Sequence, residues 1–462
     1  MNSQPAERPT NVRWWIFGLG CGTSWILYVH RFTFGLIKPI IGREWGLNEI
    51  ELGWLDSAFS FTYMFGQVPA GLLGDLIGAH IFLSVTILAW SVALWLHTVA
   101  PNMEWMVPVR VLFGLAQAGC YSMLSKISKL WFPRSIRTVL QGWIASFFGR
   151  MGAAMSNLLF GFVLLSFFGL SWRPAITLIS LLGIVFAVVF YVVFRNTPRE
   201  HPQTNDAEVR LIEGEDAFIA QAVRETEGDV QPAPRMTFRE MFAGMTPRSL
   251  WNFFAFLVQQ FTSTFPDMIY GAWVPYFLSE VRGLDLGDVG LYASLPFFGG
   301  AVGGAVGGAL NDYLILKIGR RWARSLVGGV GKIMAAVCIG VALLNYDDYR
   351  VFCITLFFVK FFADWSQPTV WGTVTDIGGK STATVFGFNN MIGGLGGVIS
   401  PVAFAYIASY MSWMWVFIVT GLVYLLSAVS WFFVNCTIPL MQESDEEKNT
   451  QSDSANDSGE SS

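Results

Sequence analysis

The chain has 462 residues, of which 53% are hydrophobic and 13% charged, and its mean hydropathy is +0.49. A water-soluble domain cannot bury that much apolar surface, so this composition excludes an ordinary soluble globular protein. The net charge of −4 has little meaning, because much of the acid lies after residue 196 and in the C-terminal tail. The five cysteines sit far apart in apolar runs, a pattern that predicts neither disulfides nor a metal site.

Apolar runs of about 20 residues, the length that crosses a hydrocarbon core, recur from Trp14 almost to Cys436. The first run is too long for a signal-peptide core and lacks a small-residue cleavage site, so we expect it in the mature protein. The sequence therefore predicts an all-α membrane protein. Cutting at Pro, Gly and charged clusters gives twelve spans, near residues 14–38, 53–74, 80–99, 105–130, 137–164, 174–194, 251–279, 288–314, 323–344, 350–374, 382–409 and 412–434.

A polar stretch of mixed charge divides the twelve spans into two sets of six. Lys and Arg cluster beside alternate loops, for example at Arg8, Arg13, Arg134 and Arg137, which predicts both termini in the cytoplasm. The expected organisation is a cytoplasmic N-terminus (1–13), a six-helix bundle (14–194), a cytoplasmic linker (195–248), a second six-helix bundle (249–436) and a disordered acidic cytoplasmic tail (437–462).

The two halves repeat a short motif. The second span ends in GLLGD (71–75) and the eighth in GGALND (307–312), with an Asp where each helix reaches the cytoplasm. Asp75, Asp312 and the following Arg320 are the expected conformational motif. A six-plus-six repeat of this kind predicts a transporter whose two bundles rock around a site between them.

Ionisable side chains inside the spans need an explanation, since each costs about 2.5–3.5 kcal/mol at the bilayer centre. In the first half they are mostly cations, namely Arg31 beside His30, Arg110 and Arg150, with Asp56 the one acid well inside a span. One carboxylate cannot neutralise three guanidinium groups, so we expect an anionic substrate to supply the missing charge. A guanidinium suits a carboxylate or phosphate because it offers a planar fork of donors. Capping of carbonyls or pairing with Asp56 is the competing interpretation for any single arginine.

Helical spacing places many of these side chains on shared faces, as with Arg110 and Gln117 in the fourth span. In the second half, Lys360 and Asp364 are four residues apart and either pair or face the substrate, and Lys332 is expected to snorkel to the cytoplasmic interface. Amides, hydroxyls and an aromatic face there suit a polyhydroxylated or amide-bearing substrate body. The residues are Gln259, Gln260, Ser263, Thr264, Asp267, Tyr270, Asp364, Gln367, Thr369, Trp371, Asn389 and Asn390.

Four stretches of the chain carry a family resemblance. They are YVHRFTFGLIKPIIGREWGLNEIELGWLDSAFSFTYMFGQVPAGLLGD (28–75), RVLFGLAQAG with SKLWFP (110–119 and 128–133), WVPYFLSEVRGL (273–284) and ATVFGFNNMIGGLGGVISP (383–401). They resemble the anion:cation symporter family of the major facilitator superfamily. The resemblance covers nearly the whole chain except the linker and the tail.

That family includes importers of hexuronates, aldonates and aldarates, and carriers of sialic acid, glutamate and phosphate. The resemblance therefore implies a cation-driven, usually proton-driven, carrier of organic anions, with Arg31 as the carboxylate clamp. Tyr28 and Tyr63 match substrate-side tyrosines of the family, and Trp371 and Asn390 match second-half residues that face the sugar-acid body. Together with the face analysis, this gives a predicted substrate site of Arg31, Tyr28, Tyr63, Arg110, Gln117, Arg150, Trp371 and Asn390.

The departures from the family pattern concern proton coupling. His30 stands where bacterial members carry an acid, and Gln117 stands where they carry a Glu, so both familiar proton carriers are absent. Asp75 also lacks the basic residues that normally follow it. Three schemes stay open, in order of preference: protons carried by Asp56, with or without His30; exchange or uncoupled transport; and coupling to Na⁺.

No enzyme activity, cofactor or metal is expected, because the sequence has no HExxH, no GxSxG and no paired acids at metal spacing. A channel is disfavoured because the charges show no ring-like repeat. The alternatives to a proton-coupled sugar-acid carrier are an exchange carrier of organophosphates or dicarboxylates, and a membrane sensor built on a transporter fold. The expected partners are a small organic anion, a proton and the lipid bilayer, without nucleic acid. We expect a monomer in a bacterial-type plasma (inner) membrane.

Overall fold

The computed structural model describes residues 7–214, 244–378 and 382–440, and within these ranges every regular element is a helix. Twelve spans follow one another in two sets of six, which confirms the predicted fold class. Most of the predicted linker, 215–243, and the predicted tail from 441 onward lie outside the described residues. The protein is thus an integral, multi-pass membrane protein.

The helix bounds show four interrupted or merged spans. The first half has Val12–Trp45, Glu49–Ile77, Ala79–Leu96, a fourth span split into Met103–Gln117 and Cys120–Trp131, a fifth made of Arg134–Gly142, Trp143–Phe147, Phe148–Ser156 and Asn157–Phe167, and Trp172–Val193. The second half has Pro247–Ala272 continued by Val274–Tyr276 and Phe277–Val281, a merged eighth and ninth span at Leu286–Leu344, a tenth split into Tyr349–Ala363 and Ser366–Gly378, Thr382–Tyr410 and Trp413–Phe433.

Two of these bounds differ from the sequence prediction. The eighth and ninth spans are joined through a single non-helical residue, Gly319, with φ 79°. Glycine reaches a positive φ at little cost, so the chain turns there without a loop. The first helix ends at Trp45, well beyond the predicted end near residue 38, and therefore holds Lys38 inside the span.

Seven helices of the described residues are individually long and apolar enough to cross a membrane, and one of them, Leu286–Leu344, contains two spans. The spans outside this set are the first, second, seventh and tenth. These four carry Arg31, Asp56, Asp267 and Lys360. Because lipid cannot satisfy such side chains, the four helices must turn them toward the protein interior.

Glycines at every fourth position bring the eighth span against the tenth. A Cβ atom added to Gly299 would lie 2.1 Å from the carbonyl oxygen of Phe357, and one added to Gly303 would lie 2.0 Å from that of Phe361. Small residues at this spacing let two helix backbones approach closely. The close approach fixes the tenth span, with Lys360 and Asp364, in the middle of the second half.

Contacts between the halves favour one side of the molecule. We call the side where the sixth span ends and the seventh begins the linker face, and the opposite side the far face. The hydrogen bonds and ion pairs that join described residues of the two halves lie at mid-membrane and toward the far face. They are Lys38–Ala272, Ser57–Val398, Asn157–Ala293, Arg43–Glu280, Glu49–Ser409, Glu49–Trp413, Arg150–Asp267 and Arg150–Asp364.

The described start of the linker docks on the first half. The buried carboxylate of Glu208 accepts hydrogen bonds from the backbone N–H groups of Val12 and Arg13, at 3.0 Å each, and from the Thr10 hydroxyl. It therefore caps the N-terminus of the first helix, where a negative charge is favourable. Burial alone would raise the pKa of Glu208, but these hydrogen bonds outweigh it, so that pKa lies below its ordinary value.

Candidate functional site

Arg31 lies near the middle of the first span, among aromatic rings. Its Nε donates a hydrogen bond to Gln117 Oε1 at 3.0 Å. The guanidinium carbon is 4.3 Å from the ring centroid of Tyr63, 5.2 Å from that of Tyr28 and 5.3 Å from that of Phe59. The structure thus brings together four of the predicted site residues, from the first, second and fourth spans.

No described carboxylate forms an ion pair with Arg31, and its Nη2 is buried without a hydrogen-bond partner among the described residues. The rings stabilise the cation through their π faces, but they offer no lone pairs to the remaining N–H groups. Gln117 accepts one hydrogen bond and stays neutral. A buried guanidinium in this condition is a receptor for an external acceptor, because its unpaired donors are costly.

Arg110, by contrast, is paired within the protein. Its Nη2 lies 3.1 Å from Asp56 Oδ1, and its Nε donates to the Leu55 carbonyl at 3.0 Å. Asp56 also pairs with Lys38, whose Nζ donates to the Ala272 carbonyl of the second half at 2.5 Å. The side chains are 3% exposed for Arg110, 11% for Asp56 and 0% for Lys38, so this is a buried cluster of two cations and one carboxylate.

The sequence analysis missed Lys38, because it placed the end of the first span there. Lys38 follows Arg31 by seven residues, or about two helical turns, so the two share a face. That spacing was the available signal. The Lys38 ammonium also lies 3.8 Å from the ring centroid of Trp273, and so fastens the first span to the seventh.

Arg150 reaches from the fifth span into the second half. Its Nε is 2.8 Å from Asp364 Oδ2, and its Nη2 is 3.8 Å from Asp267 Oδ2. Lys360 Nζ lies 2.5 Å from Asp364 Oδ1 and 2.6 Å from Asp267 Oδ2, so the Lys360–Asp364 pair that the spacing allowed is confirmed. The expectation that all three arginines lack protein counter-charges was wrong for Arg110 and Arg150. Sequence spacing defines faces within one helix, but not which acid of another helix opposes them.

A tyrosine and a third cation complete this second cluster. The Tyr424 hydroxyl donates to Asp267 Oδ1 at 2.8 Å, and Tyr270 lies 3.3 Å from Tyr424, oxygen to oxygen. Lys332 is 0% exposed, with its ammonium 5.1 Å from the Tyr424 ring centroid and without a hydrogen-bond partner among the described residues. The expectation that Lys332 snorkels to the interface was therefore wrong.

Three further predicted residues lie apart from Arg31. His30 is fully buried on another face of the first helix, with Nε2 3.1 Å from the Ile179 carbonyl of the sixth span. Trp371 is 42% exposed and packs edge-on against Phe386, and Asn390 is half-buried on the eleventh span. Each of the three is more than a helix face away from the Arg31 contacts described above.

The predicted conformational motif forms pairs within each half. Asp75 lies 2.9 Å from Lys126, and Arg320 lies 4.0 Å from Asp376. Asp312 accepts a hydrogen bond from the preceding side-chain amide at 3.2 Å. These contacts tie the linker-face ends of neighbouring helices together.

The centre of the molecule carries an excess of positive charge. The Asp56 cluster has one more cation than carboxylate, the Asp267–Asp364 cluster has one more as well, and Arg31 adds a third unbalanced cation. Inside a low-dielectric fold such an excess produces a strong potential that attracts anions. Two helical bundles joined around this centre define a membrane transporter rather than an enzyme.

The comparisons with known proteins agree with this class. The sequence model of the Major Facilitator Superfamily matches residues 20–401 and, in a second match, 253–456. The chain belongs to that superfamily. A bacterial homologue of the human lysosomal transporter Spinster, solved in an inward-facing conformation, superposes with a TM-score of 0.68, covering 93% of this chain and 97% of that one. At 15% identity this likeness shows the fold alone.

Sequence relatives are transporters of small organic acids. A probable sulfoacetate transporter of Cupriavidus necator is 28% identical, over 91% of this chain and 93% of its own length. A probable galactarate/D-glucarate transporter of Bacillus subtilis is 26% identical over 88% of each chain, and a hexuronate transporter of the same species is 24% identical over 83% and 85%. These relatives confirm the resemblance to the anion:cation symporter family.

Proposed function

We propose that the protein carries small organic anions, namely sugar acids or related carboxylates and sulfonates, by alternating access, and that Arg31 binds the anionic group. The observation that supports this most strongly is the contrast among the three central arginines. Arg110 and Arg150 each pair with a carboxylate, whereas Arg31 has none among the described residues. The substrates named for the relatives all carry a carboxylate or sulfonate, which is the acceptor that a guanidinium fork fits.

The remaining predicted residues take supporting roles in this proposal. Gln117 holds the Arg31 fork through its Nε, and Tyr28 and Tyr63 flank the guanidinium with hydroxyl-bearing rings. Trp371 and Asn390 contact the substrate body from the second half when the bundles close around it. Arg110 and Arg150 contribute positive potential rather than direct ligands.

We further propose that the linker face is cytoplasmic and that the membrane is a bacterial-type plasma membrane. The basic residues beside the linker-face loops support this orientation. Since the contacts between the halves lie toward the far face, the structure then represents the state that opens to the cytoplasm. The pairs of Asp75, Asp312 and Arg320 would rearrange when that side closes, and transport would be carried out by a monomer.

The test is binding of candidate anions to purified protein in detergent, followed as a thermal shift. Sulfoacetate, D-glucarate, galactarate and D-glucuronate form the panel, because stabilisation by a ligand follows its affinity. Arg31→Lys keeps the charge but loses the two-pronged fork, so we expect binding of the active anion to weaken by about 10- to 100-fold. The unliganded Tm should stay near that of wild type.

The matched control is Arg43→Lys, on the same helix, where the arginine side chain is 63% exposed. This variant should bind as wild type does. Equal binding by wild type and Arg31→Lys would exclude Arg31 as the anion receptor. Absence of a shift with every anion of the panel would reject the substrate class itself.

A further inference from the structure

The second cluster gathers titratable groups from five spans. Arg150 comes from the fifth span, Asp267 from the seventh, Lys332 from the ninth, Lys360 and Asp364 from the tenth; the hydroxyls of Tyr270 and Tyr424 face it from the seventh and twelfth. All of these side chains are buried or nearly so. Neither the family match nor the relatives assign a role to this cluster.

Charge balance singles out one member of the cluster. Arg150 and Lys360 match the two carboxylates in number and in direct contacts, with N–O distances of 2.5–3.8 Å. Lys332 is left over, 0% exposed and without an acceptor for its Nζ among the described residues. A buried, unpaired ammonium is far more costly than a neutral amine, so the neutral form of Lys332 suits this arrangement.

The carboxylates are less suited to exchange a proton in this state. Asp364 contacts both Arg150 and Lys360, and Asp267 contacts Lys360 and Tyr424. Protonation of either one would break charge-assisted hydrogen bonds, which are about twice as strong as neutral ones. The amine of Lys332 gives up no such contact when it gains or loses a proton.

Arg150 is the one cation that the first half lends to this cluster. If it withdraws, two carboxylates face Lys360 alone, and a proton on Lys332 restores the balance. We infer that Lys332 is the proton-binding group of the transporter, and that the Arg150 bridge between the halves controls its protonation. The step is Lys332–NH₂ plus H⁺ giving Lys332–NH₃⁺ as Arg150 leaves, and the reverse as Arg150 returns.

Substrate binding offers a cause for the withdrawal, and here the inference rests on the proposed function. Tyr28 lies against Arg31, at 5.2 Å from ring centroid to guanidinium, and within electrostatic range of Arg150. An anion bound at Arg31 therefore also attracts Arg150 away from Asp364. One proton would enter with each anion, and the structure with its bridge intact is the proton-released state.

The experiment measures proton uptake on binding. The panel anion that stabilises the wild type is added to protein in weakly buffered detergent solution, and a pH dye records the change. Wild type should take up about one proton per bound anion. Lys332→Met should bind the anion but take up none, and in proteoliposomes it should exchange labelled anion without accumulating it under a pH gradient. Lys317→Met, at an exposed lysine of the same merged helix, should behave as wild type.

A second variant guards against misfolding of the first. In Arg150→Gln the bridge is absent, so Lys332 stays protonated and binding should no longer take up a proton, although Lys332 is intact. Proton uptake that persists in Lys332→Met would overturn the inference, as would anion binding by wild type without uptake; both leave the proposed function standing. Absence of binding by any panel anion would reject the proposed function and this inference with it.

Discussion

Replacing Asp56 by asparagine leaves two buried cations, Lys38 and Arg110, without their shared carboxylate. Both are at most 3% exposed, so water cannot take over the role of the lost charge. Removing one partner of a buried ion pair typically costs about 3–5 kcal/mol. In a unit the size of a six-helix half, 1 kcal/mol shifts Tm by about 2–4 °C, so we expect Asp56→Asn to lower Tm by on the order of 10 °C.

Thermal unfolding in detergent can be followed with a thiol-reactive dye, because the protein has free cysteines that become reactive only when their surroundings open. The matched control is Asp75→Asn, which removes a carboxylate that is 63% exposed and pairs with Lys126 at 2.9 Å. Exposed pairs contribute about 0–1 kcal/mol, so this variant should lose only a few degrees. The buried cysteines are Cys21, Cys120, Cys353 and Cys436.

The same variant separates two roles for Asp56. A proton carrier must remain stable in its protonated, neutral form, which asparagine imitates. If Asp56 carries the proton, Asp56→Asn should keep a near-normal Tm, exchange labelled substrate and fail to accumulate it. A Tm no lower than that of Asp75→Asn would therefore refute the argument that the carboxylate holds Lys38 and Arg110 in place.

Two further predictions concern packing and the docked linker. Gly303→Ala should destabilise the protein by at least about 1–3 kcal/mol, because the added Cβ meets the Phe361 carbonyl oxygen, whereas Gly340→Ala, with nothing within 4 Å, should not; thermal unfolding of both variants decides this. Because the folded-state pKa of Glu208 is depressed, its stabilisation is fully present above about pH 4.5 and fades as pH falls through the lower folded value. The Tm difference between wild type and Glu208→Gln should thus be large at pH 7 and shrink below pH 4.5, while Glu213→Gln, at a partly exposed pair, should differ little at either pH.

The sequence predicted the spans and one part of the site well, for physical reasons. Apolar runs of membrane length identify spans almost independently of tertiary structure. The Arg31 site was predictable because its aromatic and amide neighbours carry a family resemblance and share helix faces. Arg31, Tyr28, Tyr63 and Gln117 were each named from the sequence, and the structure brings them together.

The pairing of charges between helices was not predictable in the same way. Periodicity shows that Arg150 faces inward, but Asp364 becomes its partner only through the packing of the fifth span near the tenth. The breaks in the fourth and tenth helices, after Gln117 and Ala363, likewise lie next to residues of the two polar centres. Such breaks depend on tertiary packing rather than on local Gly or Pro signals alone.

The two cations that remain unpaired differ in chemistry, and this difference bears on how transport could be coupled. Arg31, in the first half, carries a guanidinium that stays protonated in any protein environment, so it can serve as a permanent anion receptor. Lys332, in the second half, carries an amine that can lose its proton when buried. A carrier needs one site that always attracts the anion and another whose charge depends on the state of the protein. Arg150, which bridges the two halves, is placed to make the second depend on the first.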